Sequence, residues 1–193
     1  MLKAAIKNFE PTNLTGVTTD GSIYSFPVKY EATPGLMVYQ VPEMKNASLE
    51  TYANGILDNP RIMWGMQDRS WNVSSCVAGI YIKDRVIYYQ LRLTNKSAID
   101  YDIDFLRFYI RDKKKGKRTA IQENEIIPLF IGGNITQVKA SNKNMIVVAL
   151  EKFTIPDAKY LAVEINEKNG GRHLFMKVNN GKIIRAIVLP DLK

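Results

Sequence analysis

The chain has 193 residues, of which 46% are hydrophobic and 24% charged, and it carries a net charge of +8. This composition is that of a globular protein, and it excludes an intrinsically disordered or collagen-like chain. No apolar run approaches the roughly 18 residues that a membrane-spanning helix needs. The first seven residues are amphipathic rather than apolar, so we expect that a secretory signal is absent or has been removed.

Single copies of cysteine and histidine exclude most familiar catalytic and metal sites. We expect Cys76 to be a small buried residue and His173 a partly exposed strand residue, because no nucleophile motif accompanies either. Asp100, Asp102 and Asp104 lack the glycine-containing loop of a calcium site and are typical of a solvated strand face. The sequence therefore predicts no catalytic residue, no cofactor site, no metal site and no enzyme activity.

Charge is unevenly distributed along the chain. Residues 1–60 contain 4 basic and 6 acidic residues, a net charge of −2, whereas residues 61–193 contain 23 and 13, a net charge of +10. Together with the local patterns, this shift predicts three parts. Residues 1–45 are the C-terminal part of a truncated front β-domain, residues 46–70 a connector helix and apolar loop, and residues 71–193 a β-sandwich domain.

The front piece contains one clear strand. Apolar and polar residues alternate over residues 24–30, and Pro27 makes this an edge strand. Asp20-Gly21 predicts a tight turn before it, and residues 14–18 are the expected partner strand.

One helix is expected. Apolar side chains recur at helical spacing over residues 49–57, Asn46 or Ser48 is available as N-cap, and Asn59-Pro60 ends the pattern. Residues 61–68 follow neither the helical nor the strand period, so we expect a packed loop there.

From Trp71 onward the sequence predicts repeated strands. Alternation over residues 80–93 around Asp84-Arg85 predicts a hairpin, and a change of phase at Phe105-Leu106 predicts a β-bulge. Residues 126–131 and 145–150 are apolar runs expected to form one strand each.

Two further hairpins complete the strand pattern. One turns at residues 169–171, and the other turns at Asn180-Gly181 with residues 183–189 as the last strand. Seven or eight short strands of this kind predict a mainly β protein with an antiparallel, immunoglobulin-like β-sandwich, preceded by a small incomplete β piece and one connecting helix.

The apolar loop is the candidate partner surface, because Trp and Met are enriched at interface cores. The residues concerned are Ile62, Met63, Trp64 and Met66. Packing between the helix and the sandwich explains the same residues equally well, and no periodicity separates the two interpretations.

A basic run between two predicted strands is the candidate polyanion contact, since adjacent cations can neutralise phosphates. It consists of Arg111, Lys113, Lys114, Lys115, Lys117 and Arg118. Cations at a turn normally serve solubility, and we favour that interpretation. Nucleic-acid binding through this run remains the alternative function. A carbohydrate- or peptide-binding sandwich ranks last, because no aromatic platform can be placed on one face.

Several runs resemble the TraN family of Bacteroides-type conjugative transposons. They lie in the same order as in that family and cover nearly the whole chain: DGSIYSF at 20–26, VKY at 28–30, LTNKS at 93–97, YDIDFLRFYIRDK at 101–113, KRTAIQE at 117–123, KFTIPD at 152–157 and EKNGGRHL at 167–174.

The resemblance implies a role in conjugative transfer and similarity to the outer-membrane core-complex subunit of type IV secretion systems, a ring-forming β-sandwich protein. On that basis we expect a non-enzymatic assembly subunit on the periplasmic side of the outer membrane. Its expected partners are other conjugation proteins, with a homo-oligomeric ring possible in the full assembly. No functional residue of the family is carried over.

Overall fold

The computed structural model describes residues 6–17, 23–33, 48–113 and 123–191. The chain separates into two compact units, Met1–Glu43 and Met44–Lys193. The helix and apolar loop that the sequence separates as a connector belong to the second unit.

The first unit contains one antiparallel hairpin, formed by β1 (Thr12–Val17) and β2 (Ile23–Val28). Thr12 lies opposite Val28, and Pro27 lies opposite Asn13. Both strands of a two-stranded sheet are edges, so the missing amide hydrogen of Pro27 is tolerated there. The predicted turn at Asp20-Gly21 lies outside the described residues.

The second unit begins with α1 (Leu49–Leu57), which confirms the predicted helix. The Ser48 hydroxyl accepts a hydrogen bond from the Thr51 amide, satisfying one of the free donors of the first turn. Three residues at helical spacing are buried: Tyr52, Ala53 and Ile56. Pro60 follows shortly after the helix ends, because proline cannot continue the hydrogen-bond ladder.

The described residues contain thirteen strands. Those of the second unit form two sheets. The first sheet contains β3 (Gln67–Ser70), β4 (Val73–Lys83), β5 (Val86–Asn95), β8 (Phe130–Gly133), β10 (Asn142–Glu151) and β13 (Ile187–Val188). Their order is β13-β4-β5-β10-β8, and β3 pairs with the other half of β4. All these pairs are antiparallel except the one between β13 and β4.

The second sheet has the order β12-β11-β6-β7, with β9 also paired to β6. Its strands are β6 (Tyr101–Asp112), β7 (Asn124–Ile126), β9 (Gln137–Val138), β11 (Lys159–Glu167) and β12 (Leu174–Val178). The pairing of β6 with β11 skips Asp104, which is the predicted bulge one residue from Phe105. A second bulge, at Ala78 in β4, has no counterpart in the sequence prediction.

The main core lies between the two sheets. It joins Val77, Leu91 and Ile146 of the first sheet to Phe108 and Val163 of the second in one buried cluster. This packing confirms the predicted antiparallel β-sandwich.

A second, smaller core lies on the outer face of the first sheet, where α1 packs. Tyr81, Tyr88 and Ala149 form one row across three strands and pack with the buried face of the helix. The buried side chain of Gln90 donates from Nε2 to the carbonyl oxygens of Ile56, at 2.9 Å, and Asn59, at 2.8 Å. The helix therefore covers only one half of this face.

Two sequence predictions about strands are wrong. The apolar run at 126–131 is interrupted by Pro128 and forms the end of β7 and the start of β8, which lie in different sheets. The predicted hairpin at Asn180-Gly181 is instead a short helix, α2 (Asn180–Ile183), which follows β12. The chain then crosses to the first sheet, where β13 pairs in parallel with β4.

In the part of the chain that the structure describes, neither helix has the length and apolar character required to cross a membrane.

Candidate functional site

The apolar loop between α1 and β3 is fixed to the sandwich by its backbone. The amides of Ile62 and Met63 both donate to the Ala78 carbonyl oxygen, at 2.8 and 2.9 Å, and the Val77 amide donates to the Met66 carbonyl oxygen. These bonds are made at the β4 bulge, which frees the carbonyl of Ala78 from the regular ladder.

The structure divides the predicted partner surface. Met63 and Met66 lie in the main core with 9% and 2% of their surface exposed, and Ile62 is partly buried against it. These three side chains stabilise the fold, so assigning them to a partner surface was wrong. Trp64 is 61% exposed. It is the only one of the four that is free to contact a partner.

Local contacts hold the exposed tryptophan in place. Gly65 has a φ of +84°, a conformation that favours glycine, and it separates the exposed Trp64 from the buried Met66. The Arg61 guanidinium lies over the indole, 5.7 Å from the ring centroid, while its Nε donates to the Met63 carbonyl. Lys182 of α2 donates to the Trp64 carbonyl at 3.0 Å.

Only two residues of the predicted polyanion contact, Arg111 and Lys113, lie within the described residues. Arg111 forms ion pairs with Glu123 and Glu164. Burial alone would lower its pKa, but the hydrogen bonds that Arg111 donates to the two carboxylates outweigh that effect and raise the pKa. Arg111 is therefore already neutralised and is not free for a phosphate. Lys113 is exposed. The remaining members, Lys114, Lys115, Lys117 and Arg118, lie outside the described residues.

A different basic site lies on the half of the first sheet that α1 leaves uncovered. Residues directly opposite each other on paired strands share a face. One row across β3, β4 and β5 is Gln67, Cys76 and Arg92, and the next row is Arg69, Ser74 and Thr94. These two rows form the floor of a groove of about 510 Å³, called the basic groove below. Its lining is Arg61, Gln67, Asp68, Arg69, Ser74, Ser75, Cys76, Arg92, Thr94 and Lys96.

The groove is strongly electropositive. It contains four cationic side chains and one carboxylate, and a neighbouring depression of about 400 Å³ shares Thr94 and Lys96 with it and adds Lys143. Asp68 forms no ion pair with these cations among the described residues, and its two oxygens accept hydrogen bonds from the amides of Arg69 and Phe175. In the described part of the chain, no groove cation forms an ion pair.

The sequence did not identify this groove. The polar side of β5 is visible in the alternation of Gln90, Arg92 and Thr94 with leucines. The sequence does not reveal that α1 covers Gln90 while leaving Arg92 half-buried in the lining of the groove. It also does not reveal β3, which brings Arg69 to the same face.

The other candidate residues are Cys76, His173 and the aspartates in or next to β6. Cys76 is 5% exposed, as expected for a small buried residue, and His173 is exposed just before β12. Asp100 accepts from the Ala140 amide and Asp102 from Gln137, so both stabilise the surface of the second sheet. No group of three metal-ligating side chains occurs among the described residues.

The sandwich matches a known protein family. Residues 45–188, from the start of the second unit to β13, match the family described as a domain of unknown function (DUF4138). The chain belongs to this family. Residues 1–34, in the first unit, match a second family described as a domain of unknown function (DUF8473). No curated protein matches the chain. The apolar loop that carries Trp64 and the basic groove both lie within the part of the chain that matches DUF4138.

Proposed function

We propose that this DUF4138 protein is a non-enzymatic assembly subunit of a conjugative transfer apparatus of the type IV secretion kind, acting through protein–protein contacts. The proposal combines the sequence resemblance to the TraN family with one structural observation. That observation is Trp64, an exposed aromatic side chain on a segment whose neighbours are buried. The proposed location is the periplasmic side of the outer membrane, which rests on the resemblance alone.

The setting of Trp64 is that of an interface anchor. Tryptophan and arginine dominate the binding energy of protein interfaces, and an anchor held in its bound position loses little entropy on binding. Trp64 meets both conditions, since Arg61 packs on its ring and hydrogen bonds fix the backbone on both sides. The partner is proposed to be another transfer protein encoded by the same mobile element.

The test is site-specific cross-linking in cells that carry the element. A photoreactive phenylalanine analogue replaces Trp64 in one variant and Ile127 in the other, which is 72% exposed and lies between β7 and β8. Position 64 is expected to cross-link a transfer protein of the element, and position 127 is not. Equal cross-linking from both positions, or from neither, contradicts the proposal.

A substitution measures the contribution of the anchor. Trp64→Ala is expected to weaken capture of the cross-linked partner by about tenfold or more, since anchor residues contribute about 2 kcal/mol. Its midpoint of urea unfolding should stay near that of the parent protein, because the side chain is exposed. A loss of several kcal/mol of stability without a change in capture would show that Trp64 serves the fold instead.

A further inference from the structure

We propose that the basic groove binds single-stranded nucleic acid, with its cations on the phosphates and Trp71 stacked on a base. This site is distinct from the basic run at 111–118, and it shares Arg61 with the surroundings of Trp64. The inference does not depend on the proposed assembly role.

The cations of the groove are available to a ligand. Arg69 and Arg92 project from the shared face of β3 and β5, and Lys96 follows the end of β5. None of the three has a carboxylate partner among the described residues, and the one carboxylate of the lining is held by two backbone amides. Uncompensated cations on one face are the electrostatic footprint of a phosphate-binding surface.

The floor of the groove favours a phosphate backbone over an acidic peptide. Ser74, Cys76 and Thr94 are small, so a strand of nucleic acid can approach the sheet closely, and two of them carry hydroxyl donors. Among the described residues, the lining contains no aliphatic or aromatic side chain. A peptide therefore finds no pocket for the apolar anchors on which peptide affinity depends, whereas phosphate binding is driven by the release of counterions.

The turn next to the Arg69–Ser74 row of the groove carries an exposed aromatic residue. Trp71 and Asn72 form the turn between β3 and β4, with φ angles of +46° and +62°, and Trp71 is 80% exposed. The Lys96 amide donates to the Asn72 carbonyl, which ties this turn to the end of β5. A two-residue hairpin turn of this type favours Asn or Gly, so a bulky residue is strained there. Strain at an exposed position is typical of a functional residue, and bases stack on exposed aromatic rings.

Fluorescence anisotropy of a labelled 12-nucleotide oligo(dT), titrated with the whole chain, tests the proposal. If each of the four groove cations contacts one phosphate of a single strand, the affinity for oligo(dT) is expected to fall about 50-fold between 50 and 200 mM salt. The double variant Arg69→Gln/Arg92→Gln, with two contacts fewer, is expected to fall only about sevenfold over that range. The matched control is Arg85→Gln/Lys152→Gln, which removes the same charge from exposed positions outside the groove.

The turn provides a second, independent measurement. Trp71→Asn relieves the strained conformation, so its melting temperature should not fall, yet oligo(dT) affinity should drop by about fivefold or more. In Trp64→Phe, the one tryptophan left is Trp71, and oligo(dT) is expected to quench its fluorescence.

Three outcomes overturn the proposal. One is no oligo(dT) binding at 50 mM salt. Another is an equal loss of affinity in the groove variant and its charge-matched control, which would reflect net charge alone. The third is tighter binding of a poly-glutamate peptide than of oligo(dT), which would assign the groove to an acidic protein. Capture of a partner through Trp64 is measured with other variants, so either proposal can fail alone.

Discussion

The strongest test of the fold concerns the side chain that fastens α1 to the sandwich. Gln90 is fully buried on β5, and its amide nitrogen bonds the carbonyl oxygens of Ile56 and Asn59, just where the helix ends. Gln90→Met keeps the length and flexibility of the side chain and removes these two hydrogen bonds, together with two longer ones of 3.5 Å, to the Leu57 carbonyl and from the Tyr81 hydroxyl. It also leaves the main core between the sheets unchanged, because Gln90 lies on the outer face.

The expected loss of stability follows from the hydrogen-bond donor that each carbonyl oxygen loses. Two hydrogen bonds contribute about 1 kcal/mol each. The Ile56 oxygen keeps the Asn59 amide as a donor at 3.0 Å, whereas the Asn59 oxygen loses its donor, which adds about 1 kcal/mol. Burial of the more apolar methionine recovers about 1 kcal/mol. The net expectation is a loss of about 2 kcal/mol.

Urea unfolding followed by tryptophan fluorescence measures this loss. With a slope of about 2 kcal/mol/M, the midpoint should fall by about 1 M. The matched control is Gln137→Met, which removes one exposed hydrogen bond to Asp102 and should change stability by less than about 0.5 kcal/mol. If both variants have the same midpoint, Gln90 does not fasten the helix.

Two further predictions concern a glycine and an ion pair. A Cβ at residue 79 would lie 2.7 Å from the Tyr81 ring, so Gly79→Ala should cost about 1–3 kcal/mol in urea unfolding, whereas Gly55→Ala, with open space in α1, should gain about 0.5–1 kcal/mol. Arg172 hydrogen-bonds Glu167 and lowers the pKa of its carboxyl below the ordinary value of 4.5. The stability that this pair contributes should therefore be fully present above about pH 4.5 and be lost as the pH falls through the lowered pKa. Glu167→Gln should remove that pH dependence, at a cost of about 3 kcal/mol at pH 7; an unchanged acid profile would contradict the assignment.

The elements that the sequence predicts are those whose signal is local. The face of α1, its Ser48 cap, the alternation along β4, β5 and β11 and the apolar run of β10 each require only neighbouring residues. The bulge in β6 is predictable for the same reason, because one extra residue reverses the apolar phase around Asp104.

The errors arise where a distant contact decides the local structure. Strand β3 contains no apolar residue, so no period identifies it; it forms by pairing with β4 and through Asp68, which accepts from the amide of Phe175. Asn180 begins a helix rather than a hairpin, and its side chain accepts from the Ile155 amide on another part of the chain. Neither contact can be predicted from local turn statistics.

The same limit applies to the candidate surfaces. Composition pointed to the 62–66 segment as a partner surface, but the contacts of its backbone with Ala78 place Met63 and Met66 inward and Trp64 outward. The basic run was the most conspicuous charge pattern in the sequence. Its first member, Arg111, is paired, whereas the unpaired cations of the groove are far apart in the sequence and come together only when β3, β4 and β5 align.

Arg61 is the residue on which the two proposed surfaces meet. Its guanidinium lies over the Trp64 ring and also lines the basic groove, while its Nε fixes the backbone between them. Every other groove cation belongs to β3, to β5 or to the residue that follows β5. Of the four groove cations, Arg61 is the one that packs on Trp64. If both proposed surfaces bind their ligands, we therefore expect coupling between them to pass through Arg61.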